Sequence, residues 1–157
     1  MEENGHGGLN LRFWLTILSI LVLDRLTKWW VMNNFLPGQS QPLVDDLLWL
    51  TYVQNHGAAF GILAGKGWFF SLAAVVIIVG MAVYIFHYKP GGCLQLYMGF
   101  IAGGALGNLI DRIRFHHVID FLDLGWWPVF NVADMAIVSG GILLVLYLMR
   151  HEEALRL

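Results

Sequence analysis

The sequence predicts a mainly α-helical membrane protein with four transmembrane helices and a small β-sheet that cradles a site at one membrane face. Two observations support this fold class. The chain is 58% hydrophobic and 13% charged, whereas soluble domains carry about 25% charged residues. It also contains four apolar runs, each close to the 17–25 residues that a helix needs to cross a bilayer. Its 157 residues allow one domain.

The four predicted spans cover residues 11–31, 68–88, 93–110 and 130–149. The first run continues through Asp24, Arg25 and Lys28 without a small-residue cleavage site, so we expect a retained helix and not a signal peptide. Pro and Gly in residues 87–92 predict a tight turn between the second and third spans. Four spans would place both termini on the same side of the membrane.

Two polar connections, residues 33–67 and 111–129, are then expected to share the opposite face. Residues 47–55 are rich in aromatic and β-branched side chains between polar flanks, which favours a strand. Lysine and arginine counts do not fix the orientation, since four lie on one side and five on the other. Six of the seven tryptophans nevertheless fall at the face with the long connections, as expected for an interfacial belt: Trp29, Trp30, Trp49, Trp68, Trp126 and Trp127.

The charge and cysteine content exclude several classes of function. A formal charge of −2 without a basic run gives no support for nucleic-acid binding. Cys93 is the single cysteine, which excludes an intramolecular disulfide and predicts a buried thiol. No metal-ligand spacing occurs, since His116 and His117 are adjacent, so neither a metal nor another cofactor is expected.

Two clusters of polar residues interrupt the predicted spans. In the first span, Asp24 and Lys28 lie at i and i+4, which suits either a structural ion pair or a functional role. At the end of the third span, Asn108, Asp111 and Arg112 lie at i, i+3 and i+4, which suits either a self-satisfied helix cap or a functional role. Small residues nearby suit either helix packing or the wall of a lipid-facing opening: Gly99, Ala102 and Gly103.

The strongest candidate for chemistry is a pair of acids, Asp120 and Asp134. They are separated by a connection that contains the turn-forming sequence GWWP, and Asn131 shares a helical face with Asp134. If the connection folds back, two carboxyl groups in contact share one proton and supply a general base and a general acid. Separate structural hydrogen bonds, proton relay and ion binding are the alternatives. Asn55, before Gly57, is expected to point one amide into the site.

Five segments in this order resemble the lipoprotein signal peptidase (signal peptidase II) family. They are DRLTK at 24–28, NHGAAFG at 55–61, GGALGNLIDR at 103–112, VIDF at 118–121 and FNVAD at 130–134. Together they are spread over nearly the whole chain.

The resemblance implies an aspartic endopeptidase of the bacterial inner membrane, with cytoplasmic termini and a site near the periplasmic face. It would remove the signal peptide from diacylglyceryl-modified prolipoproteins, cutting just before the lipidated cysteine, and would be a target of the cyclic peptide globomycin. The implied catalytic pair is Asp120 and Asp134. Residues 33–67 would form a periplasmic sheet with a mobile loop over the site. The alternative function is that of a proton or cation carrier. The family's other motif positions are Asp24, Lys28, Asn55, Asn108, Asp111, Arg112 and Asn131. Among them, we expect Asn108 and Arg112 to hold substrate carbonyls and Asp111 to orient Arg112.

Overall fold

The computed structural model describes residues 10–45, 47–57 and 66–155. In this part of the chain, four long helices support one three-stranded antiparallel sheet. The helices are α1 (Leu11–Asn34), α2 (Gly67–Tyr88), α3 (Gly92–Phe115) and α4 (Val132–Leu155), and the strands are β1 (Ser40–Val44), β2 (Leu48–Asn55) and β3 (Val118–Asp123).

Three of these helices, α2, α3 and α4, are long and apolar enough to cross a membrane. The fourth, α1, is 24 residues long, but it carries Asp24, Arg25 and Lys28 in its second half. The predicted spans from the second to the fourth are therefore confirmed as candidate membrane helices. Membrane crossing by α1 remains a prediction.

Helix α3 lies at the centre and contacts each of the other three helices. Its glycines allow this close approach. A Cβ at Gly103 would lie 3.1 Å from the Ile17 Cα, and one at Gly107 would lie 2.7 Å from Asp24 Oδ2. A Cβ at Gly99 would likewise meet Thr16. The small residues of the third span therefore pack against α1, and the structure supports the helix-packing interpretation over a lipid-facing wall.

The sheet has the order β1-β2-β3 and joins the two polar connections. Strand β2 pairs with β3 so that Asn55 lies opposite Val118 and Val53 opposite Asp120. A cluster that includes Ile119 and Phe121 packs against the end of α1 and fixes the sheet on the helices. Burying each large apolar side chain of this kind contributes about 1.5–3 kcal/mol.

Three expectations need correction. Helix α3 continues to Phe115, beyond the predicted end at residue 110, because Asp111 and Arg112 keep helical geometry and the helix stops only where His116 adopts φ 62°. The second polar connection, residues 111–129, for which no strand was predicted, supplies β3, because β2 offers it a pairing edge. Cys93 is exposed at the start of α3, so the predicted buried thiol is wrong.

Candidate active site

A cavity of about 290 Å³ opens where β2 ends and α4 begins. Asp120 reaches it from β3, and Asp134 from the first turn of α4. The other polar side chains that line it are Asn55, Asn108 and Arg112. The fold thus brings together the two acids and three of the predicted supporting residues.

Asn131 connects the two acids. Its Nδ2 donates to Asp120 Oδ1 at 2.7 Å, and its Oδ1 accepts from the Asp134 backbone N–H at 2.9 Å. Asp134 Oδ2 accepts in return from the Asn131 backbone N–H at 3.3 Å. This reciprocal pair is a capping box, which satisfies two donors at the helix start. The sequence N-x-x-D therefore fixes the start of α4 and the position of Asp134 at the same time.

Asp120 is buried at the end of the sheet with two amide partners. Its Oδ2 accepts from Asn55 Nδ2 at 2.8 Å, so the Asn55 amide points into the site as expected, although this partner was not predicted. Burial and, secondly, the negative charge of Asp134 raise the pKa of Asp120 from 3.8 to about 7. Loss of hydration and a like charge both disfavour the ionised form. Asp120 can therefore hold a proton near neutral pH, which a general acid requires.

Asn108 bonds to protein groups on both ends of its amide. Its Nδ2 donates to Asp134 Oδ1 at 2.7 Å. Its Oδ1 accepts from Lys28 Nζ at 3.0 Å and from Asn131 Nδ2 at 3.1 Å. These contacts orient the carboxyl group of Asp134. Asn108 was expected to hold a substrate carbonyl, so this positioning role was not predicted.

Below the cavity, two acids and two cations form a buried ion network. Asp24 Oδ1 lies 3.0 Å from Lys28 Nζ, and Asp111 Oδ2 lies 2.7 Å from the same atom. Arg25 spans both acids, at 2.6 Å from Asp24 and 2.6 Å from Asp111. The predicted Asp24–Lys28 ion pair is present. Asp111 bonds to Arg25 and Lys28, so the expectation that it orients Arg112 is wrong.

The same two carboxylates also hold backbone groups of the elements that carry the acids. Asp24 Oδ1 accepts from the Ala133 N–H at 3.2 Å, in the first turn of α4. Asp111 Oδ2 accepts from the Ile119 N–H at 3.2 Å, next to Asp120. Charge-assisted bonds of this kind are about twice as strong as neutral ones. The ion network therefore positions both halves of the acidic pair.

Arg112 differs from Arg25 and Lys28, the cations of the ion network, because it makes no ion pair with a described residue. Its guanidinium lies 5.5 Å from the ring centre of Phe70, and its Nη1 donates to the Asn108 carbonyl oxygen at 3.4 Å. It also lines the cavity. Its remaining donors are therefore available for an acceptor in the cavity.

Two further outcomes concern residues outside the acidic pair. Arg25 was not among the predicted site residues, although its place between Asp24 and Lys28 as a third charge in an apolar run was a usable signal. Asp123 lies away from the cavity, where it accepts from Thr51 Oγ1 and the Gly125 N–H. A mobile loop over the site was expected within residues 33–67, and residues 46 and 58–65 of that range lie outside the described residues.

Comparison with known proteins agrees with this site. The sequence profile of a family described as signal peptidase (SPase) II matches residues 16–150. The chain belongs to the signal peptidase II family. It is 52% identical to a lipoprotein signal peptidase of Syntrophomonas wolfei over 91% of this chain and 98% of that protein. A second lipoprotein signal peptidase, from Halothermothrix orenii, is 46% identical over 89% of this chain and 97% of that protein.

Two solved structures of bacterial membrane enzymes are similar to this fold. A bacterial membrane enzyme determined by the in meso method at 2.3 Å resolution has a TM-score of 0.83 and 29% sequence identity. It covers 88% of this chain, and the match covers 87% of that enzyme. With the apolar helices, this supports a membrane-embedded peptidase.

Proposed function

We propose that this protein is an aspartic endopeptidase that removes the signal peptide from diacylglyceryl-modified prolipoproteins, cutting just before the lipidated cysteine. The observation that carries the proposal is the placement of Asp120 and Asp134 in one cavity, each hydrogen-bonded to Asn131. Relatives along nearly the whole chain are lipoprotein signal peptidases, which supports the substrate class.

In the proposed mechanism, the two acids share one proton. The ionised carboxylate removes a proton from water, and the resulting hydroxide attacks the scissile carbonyl carbon. The protonated carboxyl group hydrogen-bonds to the carbonyl oxygen and then gives its proton to the departing nitrogen as the C–N bond breaks. The products are a free carboxyl group and a new amino terminus, so each proton is accounted for. Asp120, with a pKa of about 7, suits the protonated partner.

The supporting residues have three roles in this proposal. Asn55, Asn108 and Asn131 hold the acids through hydrogen bonds. Asp24, Lys28 and Asp111 hold the elements that carry the acids, as described above. Arg112, whose donors face the cavity without a carboxylate partner in the described chain, binds a substrate carbonyl.

We also propose that the protein lies in the bacterial inner membrane, with both termini in the cytoplasm and α1 as a fourth span. The cavity is then near the periplasmic face, where a lipid-anchored peptide would present its scissile bond. Membrane lipid and globomycin are the other proposed partners. A cyclic peptide could occupy the cavity and accept from Asn55 or Arg112. A proton or cation carrier is not favoured, because the family relatives are peptidases.

The test is cleavage of a diacylated prolipoprotein by the purified protein in detergent. We expect Asp120→Asn and Asp134→Asn each to abolish cleavage, since either change removes one of the two proton-transfer groups. Asp123→Asn is the matched control, because this acid lies on the same strand as Asp120 but bonds to Thr51 away from the cavity. It should keep near-normal activity.

Folding must be measured in parallel, because Asp120 and Asp134 both make buried hydrogen bonds. A folded Asp120→Asn or Asp134→Asn variant that still cleaves would contradict the proposed mechanism. Wild-type protein that moves protons or cations across liposomes, without cleaving substrate, would support the carrier.

A further inference from the structure

A second cavity, of about 530 Å³, lies between the C-terminal halves of α1 and α3. It shares no lining residue with the acidic cavity. Helix α1 contributes Arg25, Trp29 and Met32, and α3 contributes Arg114 and Phe115. Because both helices approach their ends here, the cavity opens at the level where membrane spans meet water.

The cavity carries a net positive charge. Arg25 and Lys28 are balanced by the two buried acids of the ion network. Arg114 makes no ion pair with any described residue, and its guanidinium lies 5.2 Å from the ring centre of Phe115. Arg114 is therefore an unbalanced cation of this cavity.

The rim of the cavity is apolar on its α1 side. Trp29 is 61% exposed and Leu26 is 58% exposed. Aromatic and aliphatic side chains at this depth suit acyl chains and the interfacial zone. A free anion would use the arginine and leave this apolar surface unpaired, whereas a phospholipid would use both.

We propose that this cavity binds the phosphate headgroup of an anionic phospholipid, with the acyl chains along Leu26 and Trp29. Arg114 binds the phosphate, as basic pockets between membrane helices do for anionic headgroups. Arg25 also donates to the Gly107 carbonyl oxygen at 2.9 Å, so a lipid at this site lies against the contact between α1 and α3. Bound lipid therefore stabilises the helix bundle.

The experiment uses the full-length protein in a neutral detergent and measures the thermal unfolding midpoint. The probes are dihexanoylphosphatidylglycerol, dihexanoylphosphatidylcholine and inorganic phosphate. We expect dihexanoylphosphatidylglycerol to raise the unfolding midpoint in a saturable way. Dihexanoylphosphatidylcholine and inorganic phosphate should raise it less. Arg114→Gln should weaken the apparent affinity for that lipid about tenfold, the loss of one charged hydrogen bond.

The matched control is Arg150→Gln, which removes the same charge from an exposed position on α4 that does not line the cavity. It should bind like the wild type. Arg114→Lys keeps the charge and should bind more tightly than Arg114→Gln, and unfolding without lipid reports whether each variant folds. The proposal would be overturned if either dihexanoylphosphatidylcholine or inorganic phosphate raised the midpoint as much as dihexanoylphosphatidylglycerol does. It would also be overturned if Arg114→Gln and Arg150→Gln bound dihexanoylphosphatidylglycerol with equal affinity.

Discussion

Replacing Asp120 by asparagine should change the stability of the protein in a strongly pH-dependent way. The native pKa of about 7 lies above the ordinary value of 3.8. Between these values, the folded protein binds more protons than the unfolded chain, so its free energy of unfolding falls as pH rises. At about 1.4 kcal/mol for each pKa unit, the total is about 4 kcal/mol. Because asparagine cannot ionise, the Asp120→Asn variant does not lose this unfolding free energy as pH rises.

The hydrogen bonds of Asp120 add a second, pH-independent effect. Both of its oxygens accept from amide nitrogens, of Asn55 and of Asn131. An asparagine side chain has one acceptor and one donor, so one of these two bonds is lost, at about 1–3 kcal/mol. We therefore expect Asp120→Asn to be less stable than the wild type at pH 4 and more stable at pH 8.

The assay is the thermal unfolding midpoint in detergent from pH 4 to pH 8, followed by tryptophan fluorescence. A change of about 4 kcal/mol corresponds to roughly 10 °C for a chain of this size. Asp45→Asn, the same chemical change at an exposed turn position, corrects for the general effect of pH. A midpoint difference between wild type and Asp120→Asn that stays constant over this range would refute the raised pKa.

Three further variants test the supporting structure. Gly107→Ala puts a methyl group 2.7 Å from a buried carboxylate oxygen and should lower the free energy of unfolding by about 1–3 kcal/mol. Gly80→Ala is the control, because no atom lies within 4 Å of its new Cβ, and it should leave the free energy of unfolding unchanged. Equal effects of the two variants would contradict the packing argument. Lys28→Met leaves buried acids without one of their cations and should destabilise by about 3–5 kcal/mol, and a stability like that of the wild type would count against the ion network. Asn131→Ala removes the bond to Asp120, a proposed catalytic acid, and the cap of α4, so it should lower kcat about tenfold or more with a smaller change in KM. An effect confined to KM would argue for substrate binding instead.

The sequence predicted the elements whose signals are local. Helix α2 and its C-terminal turn follow from an uninterrupted apolar run that ends before Pro90, and β2 follows from the aromatic and β-branched composition between residues 47 and 55. The pair Asp120 and Asp134 was placed in one site because a turn-forming segment separates them. Each of these inferences used residues within about 20 positions of one another.

The rest depended on contacts between distant segments. Strand β3 forms only because β2 pairs with it, more than 60 residues earlier in the chain. The motif shared by Asp111 and Arg112 suggested that the acid orients the arginine, but Asp111 bonds to Arg25 and Lys28 from α1. A one-dimensional pattern identifies charged groups that need partners in an apolar environment. It does not tell which helix supplies the partner.

Charge balance links the ion network to the proposed chemistry. Arg25 and Lys28 cancel Asp24 and Asp111, so among the described residues that line the cavity there remain two acids and one cation, Arg112. With one proton shared by Asp120 and Asp134, these two acids and Arg112 together carry no net charge. If both acids were ionised, one negative charge would remain uncompensated in a poorly hydrated site.

Arg112→Gln should therefore have two effects on cleavage. It should raise KM, because a donor to the substrate carbonyl is lost. It should also move the fall of kcat/KM, expected in the wild type as pH rises through about 7, to higher pH, since removing a nearby positive charge makes Asp120 hold its proton more strongly. A rise in KM with an unchanged pH profile would mean that the guanidinium binds substrate without acting on the acidic pair.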